Sequence, residues 1–392
     1  MRGVDRRGMG ALSLGHLAAD LSQGALPALL VYLKPELGLS YTMTAAVVLV
    51  ATLTSSIVQP LFGLWSDRRG AVWLTSAGVA LGGAGIAVGA QAPTYAVLLV
   101  LVAVSGLGIG AFHPEAMKLA GHASGARRAS GMALFSTGGN VGFALGPLLV
   151  TGAIGGLGLH GGLLLLVPGV AVGLVLAHEH VRLEALVGRR EQTTTQARPA
   201  DDRPGAFRLL LAIVALRSVA YYGLFTFVPQ FEVARGHSKS YGNSILALVL
   251  LAGVAGTLCA GPLADRLGRR TVLLASLLVS PGLIVLYVFA GGLPGAVAVC
   301  FAGAVVVSTF SVTIVMSQEY LPTRVAWASG MSVGLAIGLG GVAAVVLGSV
   351  ADAVDLKAAL IGTAIGPALG AALALGLPHD RRERELAPAS LS

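Results

Sequence analysis

The sequence predicts an all-α membrane protein in which twelve transmembrane helices form two pseudo-symmetric bundles of six. Hydrophobic residues make up 55% of the 392 residues and charged residues only 11%, whereas charged residues make up about 25% of ordinary soluble domains. A membrane-spanning helix needs about 20 apolar residues, and twelve apolar segments of that length fill nearly the whole chain. The second observation is an internal repeat, which indicates that the two bundles are copies.

The twelve apolar segments are separated by short polar turns. They are 9–33, 43–65, 71–91, 94–118, 129–153, 161–178, 206–231, 240–264, 270–290, 293–317, 325–350 and 355–377. The longest polar stretch carries charges, prolines and consecutive threonines, which is typical of a flexible linker. We therefore predict a first bundle over 1–178, a cytoplasmic linker over 179–205, a second bundle over 206–377 and a cytoplasmic tail over 378–392.

Two short patterns occur twice. Glycine, aspartate and arginine follow both the second and the eighth segment, at an offset of 198 residues. The residues are Gly63, Asp67 and Arg68 in the first copy and Gly261, Asp265 and Arg266 in the second. Ala-Ser-Gly-Met opens both the fifth and the eleventh segment, at an offset of 199. Two patterns with nearly one offset indicate a duplicated six-helix unit, a symmetry that places a substrate site between the halves near the membrane midplane.

The basic residues place both termini in the cytoplasm. With the N-terminus inside, the cytoplasmic segments hold 21 of the 26 Lys and Arg residues and the outer loops hold four, as the positive-inside rule requires. Because these charges cluster at the ends of apolar segments, the net charge of +8 indicates membrane topology and not a nucleic-acid partner. We expect a monomer in the lipid bilayer.

Motifs for catalysis and for cofactors are missing from the sequence. It contains no phosphate-binding glycine loop, metal-ligand spacing or nucleophile–base pair. We therefore expect neither an enzyme nor a bound cofactor or metal. Without a nucleotide site, the energy for any transport must come from an ion gradient or from the substrate gradient.

The paired loops resemble the signature loop of the major facilitator superfamily. Longer stretches, from about residue 14 to about residue 355, resemble the fosmidomycin resistance protein family of bacterial drug efflux pumps. They are His16–Gln23, Gln59–Arg68, Phe112–Ala116, Gly138–Pro147 and Gln318–Pro322. The resemblance implies the major facilitator fold and export of a small-molecule drug across the bacterial inner membrane.

Gly142, Gly146 and Pro147 in the fifth segment resemble a motif of proton-coupled drug antiporters. The chain departs from the fuller motif after Pro147, where two leucines stand in place of a glycine pair. The glycines recur every four residues, so they also form a smooth groove on one helix face. Ordinary helix packing explains that groove equally well.

Ionisable residues inside the first and fourth segments are candidates for proton coupling, because a charge at membrane depth costs about 2.5–3.5 kcal/mol on insertion scales. His16, Asp20 and Gln23 share one helix face. We expect Asp20 to carry a proton that His16 shares; the alternative is a hydrogen-bonded pair that only fixes helix packing. His113 and Glu115 are further candidates, although two residues so close in a helix point to nearly opposite faces.

Arg217 is the one basic residue well inside an apolar segment, and Tyr221 follows one turn later beside Tyr222. A guanidinium at that depth suits a carboxylate or phosphonate of a substrate; the alternative is a permanent counter-ion for Asp20, to which Arg217 corresponds at an offset of 197. The polar residues predicted to contact substrate are Gln23, Asn140, Arg217, Tyr221, Tyr222 and Gln318.

The two signature loops are predicted to close the cytoplasmic side in one state and to release it in another. Their glycines, Gly63 and Gly261, are expected to allow close helix contact. The aspartates suit a helix N-terminus, and the arginines, including Arg269, suit Glu115 and Glu319 at the ends of the fourth and tenth segments. Ion pairing there is the alternative to a proton-carrying role for Glu115.

The residues favour a proton-coupled exporter of a drug or small organic anion. A proton symporter that imports an organic anion or nutrient uses the same residue types. A membrane sensor that keeps the fold without transport is the third interpretation. No residue determines the direction of transport, and export follows from the family resemblance alone.

Overall fold

The computed structural model describes residues 4–125, 128–187 and 202–378, and the chain is almost wholly helical over these ranges. The helices are α1 (Arg6–Glu36), α2 (Tyr41–Arg69), α3 (Trp73–Gly89), α4 (Tyr95–Ala123), α5 (Arg128–Leu157), α6 (Leu166–His178), α7 (His180–Val187), α8 (Pro204–Ala234), α9 (Lys239–Leu267), α10 (Arg269–Phe289), α11 (Gly292–Tyr320), α12 (Val325–Ala353) and α13 (Leu356–Ala374).

The predicted all-α fold class is confirmed. The twelve apolar segments lie on twelve separate helices, and the thirteenth helix, α7, carries none of them. Among the described residues, nine stretches are long and apolar enough to cross a membrane. One of them, Gly131–His178, spans 48 residues and therefore includes both the fifth and the sixth segment. Large apolar side chains remain exposed on the helices, for example Phe289 at 67% and Leu174 at 66%, as expected of helices that face lipid.

One local prediction is wrong. The start of the expected flexible linker forms the helix α7, because Leu183 and Leu186 are buried in an apolar cluster of the first unit. The sixth apolar segment begins as a 3-10 helix over Gly158–Leu165, and a Cβ at Gly162 there would overlap Ala90. The rest of the linker and the tail lie outside the described residues.

The helices divide into two compact units. The first comprises Met1–Gln196 together with Val228–Ala247, and the second comprises Ala197–Phe227 together with Leu248–Ser392. The division of the chain at the linker stays a prediction. The two compact units differ from it in one respect, because the end of α8 and the start of α9 belong to the first unit. In that unit, buried Asn243 donates to the Thr151 hydroxyl at 3.1 Å.

In the first unit, the closest helix pair is α1 and α5. Side chains at Gly138, Gly142 and Gly146 would run into the backbone of α1, at Ser13, Leu17 and Ala25 respectively. The glycine groove of the fifth segment therefore packs on α1, because only a residue without Cβ permits backbones to approach so closely. This contact positions the other residues of α5 relative to α1.

The second unit is built around a cluster of buried apolar residues from α8, α9, α10, α11, α12 and α13. Ser276 of α10 donates to the carbonyl of Val305 on α11 at 2.7 Å. A Cβ at Gly366 of α13 would overlap the carbonyl of Leu216 on α8. Small residues and hydroxyls thus tie α10 to α11 and α13 to α8, as expected where apolar contact alone does not drive association.

Candidate functional site

Three ionisable side chains of the first unit meet in a half-buried cluster, which we call the triad: His16 and Asp20 on α1 and His113 on α4. His16 Nε2 lies 3.2 Å from Asp20 Oδ2, and His113 Nε2 lies 3.2 Å from Asp20 Oδ1. The side chain of Asp20 is 14% exposed. The triad joins the predicted pair on α1 to His113, which the sequence left undecided.

The other nitrogen of each imidazole faces a backbone carbonyl. His16 Nδ1 lies 2.9 Å from the carbonyl oxygen of Phe135 on α5, and His113 Nδ1 lies 2.8 Å from that of Ile109, one turn earlier on α4. A carbonyl oxygen only accepts, so both Nδ1 atoms carry a hydrogen. Both Nε2 atoms are therefore the ones that face Asp20.

The triad also brings three ligand-type atoms within 4.8 Å of one another, the one such group among the residues with described side chains. The two separations of 3.2 Å between nitrogen and carboxylate oxygen are hydrogen-bond distances. Protons can therefore bridge the members of the cluster.

Gln23 and Glu115 occupy different places from those expected. Gln23 Nε2 donates to Asp20 Oδ1 at 3.1 Å, so Gln23 supports the triad. Glu115 is absent from the triad: its side chain is 0% exposed, Ser66 donates to it, and Lys118 Nζ lies 3.2 Å away. The helix turns the side chain of Glu115 away from that of His113, and a proton-coupling role for Glu115 stays a prediction.

In the second unit, Arg217 of α8 is 1% exposed. Its Nη1 donates to the Thr309 hydroxyl at 3.2 Å and lies 3.5 Å from that of Thr313, both on α11. The guanidinium carbon lies 3.8 Å from the centre of the Phe310 ring. In the described part of the chain no carboxylate pairs with Arg217, and its Nε has no hydrogen-bond partner.

The remaining substrate candidates spread over several helices. Tyr221 packs edge-on against Phe310 at 5.3 Å and so lies beside the arginine. Tyr222 is buried and its ring contacts α12, where a Cβ at Gly340 would overlap it. Gln318 and Asn140 are half-buried on α11 and α5. Within the second unit, the structure thus brings Tyr221 to Arg217.

The gating residues are partly described. Arg269 Nη1 lies 2.8 Å from Glu319 Oε1, the predicted ion pair of the second copy, and Asp265 and Arg266 are exposed. The side chains of Asp67 and Arg68 lie outside the described part.

Close helix contact at the signature glycines is wrong for this structure. A Cβ at Gly63 would meet Pro114 at an ordinary 3.6 Å, and one at Gly261 would meet no described atom within 4 Å. The glycines that the loops do need are Gly70 and Gly268, whose φ values of 62° and 90° disfavour any other residue.

Sequence reasoning missed the residues that surround the charged groups. Phe135, Thr309, Phe310 and Thr313 look like ordinary members of apolar helices. Thr309 and Thr313 are spaced to share a face, a weak signal that many structural threonines also give. Lys118 lies one turn beyond Glu115, and that spacing was the clearest available indication of a helical ion pair.

Long apolar helices with ionisable groups inside them indicate a multi-pass membrane transporter, because such groups mark substrate and ion pathways in membrane helices. The sequence model of the Major Facilitator Superfamily matches residues 12–345. The chain belongs to this superfamily, and the resemblance noted in the sequence is confirmed.

Two curated relatives align over most of the chain. An uncharacterized MFS-type transporter, YfnC of Bacillus subtilis (strain 168), is 31% identical over 386 residues, 95% of this chain and 93% of the relative. The fosmidomycin resistance protein of Escherichia coli (strain K12) is 30% identical over 360 residues, 89% of this chain and 87% of the relative.

Solved structures share the fold at low identity. A bacterial homolog of the human lysosomal transporter Spinster, in an inward-facing and occupied conformation, has a TM-score of 0.77 at 15% identity and covers 94% of this chain and 96% of its own. The nucleoside transporter NupG has a TM-score of 0.70 at 17% identity, with 95% and 99% covered. At these identities the likeness concerns the fold.

Proposed function

We propose that the chain is a proton-coupled secondary transporter that exports a drug or small organic anion from the bacterial cytoplasm by alternating access. The observation that carries this proposal is the triad of His16, Asp20 and His113. It places two imidazoles and a carboxylate in contact within transmembrane helices, where a charge without a partner is costly.

The geometry of the triad implies how many protons its two contacts with Asp20 need. Both Nδ1–H groups donate to backbone carbonyls, so each contact between an Nε2 atom and Asp20 needs a proton of its own. Loss of either proton leaves lone pairs facing each other across 3.2 Å, and that contact opens. Protonation and the packing of α1 against α4 are therefore linked, as proton coupling requires.

Arg217 supports an anionic substrate. Its partners Thr309, Thr313 and Phe310 are neutral, so no counter-ion among them competes with an anionic substrate, and its Nε still offers a donor. A carboxylate or phosphonate suits this group because charge-assisted hydrogen bonds to a guanidinium are short and strong. The name of the Escherichia coli relative favours a compound of the fosmidomycin type and export as the direction.

The ion pairs at the ends of α4 and α11 support a gating role for the signature loops. Glu319 is paired with Arg269, and buried Glu115 is paired with Lys118. Breaking and remaking such pairs as the cytoplasmic side opens would fit alternating access. We place the protein in the bacterial inner membrane as a monomer with both termini in the cytoplasm.

Proton release from everted membrane vesicles tests the proposal. Vesicles are acidified inside, a pH-sensitive dye reports the gradient, and fosmidomycin is added as the probe. We expect the probe to discharge the gradient in wild-type vesicles. Asp20→Asn should lower the rate about tenfold or more, since a lost hydrogen bond to a charged group costs about 1.5–3 kcal/mol and 1.4 kcal/mol is a factor of ten.

Lys357→Gln is the control, because Lys357 is exposed and lies outside the triad and the arginine site. The exporter is contradicted if Asp20→Asn transports fosmidomycin at the wild-type rate with the wild-type pH dependence. Uptake driven by an inward proton gradient in right-side-out vesicles would instead establish the symporter. Absence of flux for fosmidomycin, other phosphonates and common dyes would favour the sensor.

A further inference from the structure

We propose that Gly139 and Phe135 of α5 are positioning residues that hold His16 against Asp20. This inference rests on the proposed function and deepens it, because it assigns the alignment of the triad to a helix that contributes no ionisable group to it. The two residues lie one helical turn apart and therefore on the same face of α5.

Phe135 contacts His16 in two ways. Its carbonyl oxygen accepts the Nδ1–H hydrogen bond at 2.9 Å, and its ring stacks on the imidazole with centroids 4.2 Å apart and planes inclined by 23°. The side chain of Phe135 is buried. These contacts determine the orientation of the imidazole, so its Nε2 atom points at Asp20.

Gly139 leaves the space that the pair of side chains occupies. A Cβ at this position would lie 2.5 Å from His16 Nε2 and 2.6 Å from Asp20 Oδ2. Both atoms are the ends of side chains, which move more readily than a backbone. An alanine at 139 would therefore displace the two atoms that share the proton while the helices stay in place.

Gly138 provides the contrast one residue earlier. A Cβ at Gly138 would run into the backbone of α1 at Ser13, so a substitution there disturbs helix packing. The glycines of α5 thus divide by face: those at 138, 142 and 146 allow α1 and α5 to approach, and Gly139 accommodates the triad. The antiporter-like motif covers two of the packing glycines and leaves Gly139 outside it.

The pH profile of fosmidomycin-driven proton release tests the positioning role. The charged and titratable groups that face His16 are Asp20 on its own helix and His113 on α4, and the described side chains of α5 include none. We expect Gly139→Ala to change the midpoint of the profile, because it displaces the two atoms that share the proton. Phe135→Leu keeps the carbonyl and loses the ring, and should change the midpoint by less.

Gly152→Ala is the matched control on α5, since a Cβ there meets nothing within 4 Å and the wild-type profile should persist. Gly138→Ala should lower the yield of folded protein, and the folded fraction should keep the wild-type midpoint. A wild-type midpoint in both Gly139→Ala and Phe135→Leu overturns the positioning role. If Asp20→Asn also behaves as wild type, the proposed function itself fails, so the two failures are distinguishable.

Discussion

At the scale of single residues, Arg217 shows how a buried charge is accommodated without an opposite charge among the described residues. Its guanidinium is held by the Thr309 hydroxyl and lies over the Phe310 ring. A planar, delocalised cation suits both contacts at once, whereas an ammonium is a compact point charge. Substitution by lysine therefore keeps the charge and removes the geometry.

We expect Arg217→Lys to weaken fosmidomycin transport through a higher KM, by about tenfold to a hundredfold, because hydrogen bonds to charged groups contribute about 1.5–3 kcal/mol. The pH midpoint of proton release should stay at its wild-type value, because the triad is untouched. Initial rates at several fosmidomycin concentrations and pH values measure both quantities.

Arg208→Lys is the control, as a substitution of the same kind near the start of α8 and away from the arginine site. An unchanged KM in Arg217→Lys would remove the arginine from substrate binding. A shifted pH midpoint with an unchanged KM would instead favour the role of counter-ion to Asp20.

At the scale of elements, α7 shows how a polar segment becomes a helix when it finds partners. Arg182 of α7 is paired with Asp5 at 2.9 Å, and Arg7 is paired with Glu179, which directly precedes α7. Asp5 also caps α1 by accepting the backbone N–H of Gly8. Burial alone raises the pKa of Asp5, but its hydrogen bonds from Arg182 and Gly8 outweigh burial and hold that pKa below its ordinary value.

The depressed pKa of Asp5 predicts how α7 responds to pH. A carboxyl with a lower pKa in the folded state contributes stability above its unfolded pKa and loses it as the pH falls through the folded value. We expect Arg182→Gln to speed amide hydrogen exchange in α7 at neutral pH by a few-fold at most, since exposed ion pairs contribute little to stability. After correction for intrinsic exchange rates, the difference from wild type should vanish only once Asp5 is protonated, at a pH below the ordinary pKa of an aspartate.

Glu184→Gln is the control on the same helix, because among the described residues the ion pair of Glu184 is with His180 of α7 itself, at 3.8 Å. Its exchange should match that of the wild type. Equal exchange in Arg182→Gln and the wild type at neutral pH would show that the ion pair with Asp5 does not hold α7 in place.

At the scale of the whole molecule, the distribution of basic residues predicts that both termini are cytoplasmic. An even number of spans places the two ends of the chain on one side, and Lys357 then lies in an outer loop between α12 and α13. The two native cysteines, Cys259 and Cys300, are free, so a cysteine-free background is available by substitution.

We expect a membrane-impermeant maleimide to label Lys357→Cys in intact cells and to label Ser390→Cys only after the membrane is permeabilised. Both variants carry Cys259→Ala and Cys300→Ala, and the background without added cysteines gives the blank. Labelling of Ser390→Cys from outside intact cells would contradict the predicted topology.

The sequence by itself determined the class of fold, the twelve segments and the identity of the ionisable residues. Each apolar segment crosses the membrane according to its own hydropathy and flanking charges, largely independently of the other segments. Asp20 and Arg217 could therefore be identified from the sequence alone, because a charged residue within an apolar segment stands out whether or not its partners are known.

Only the tertiary structure decided which side chains meet. It joined His113 to Asp20 and excluded Glu115, and it brought Thr309 and Phe310 to an arginine more than ninety positions away. It also placed Gly139, which lies outside the four-residue repeat of glycines, beside the triad. The physical reason is that these contacts depend on the rotation of packed helices about their axes, where one residue turns a side chain by about 100°.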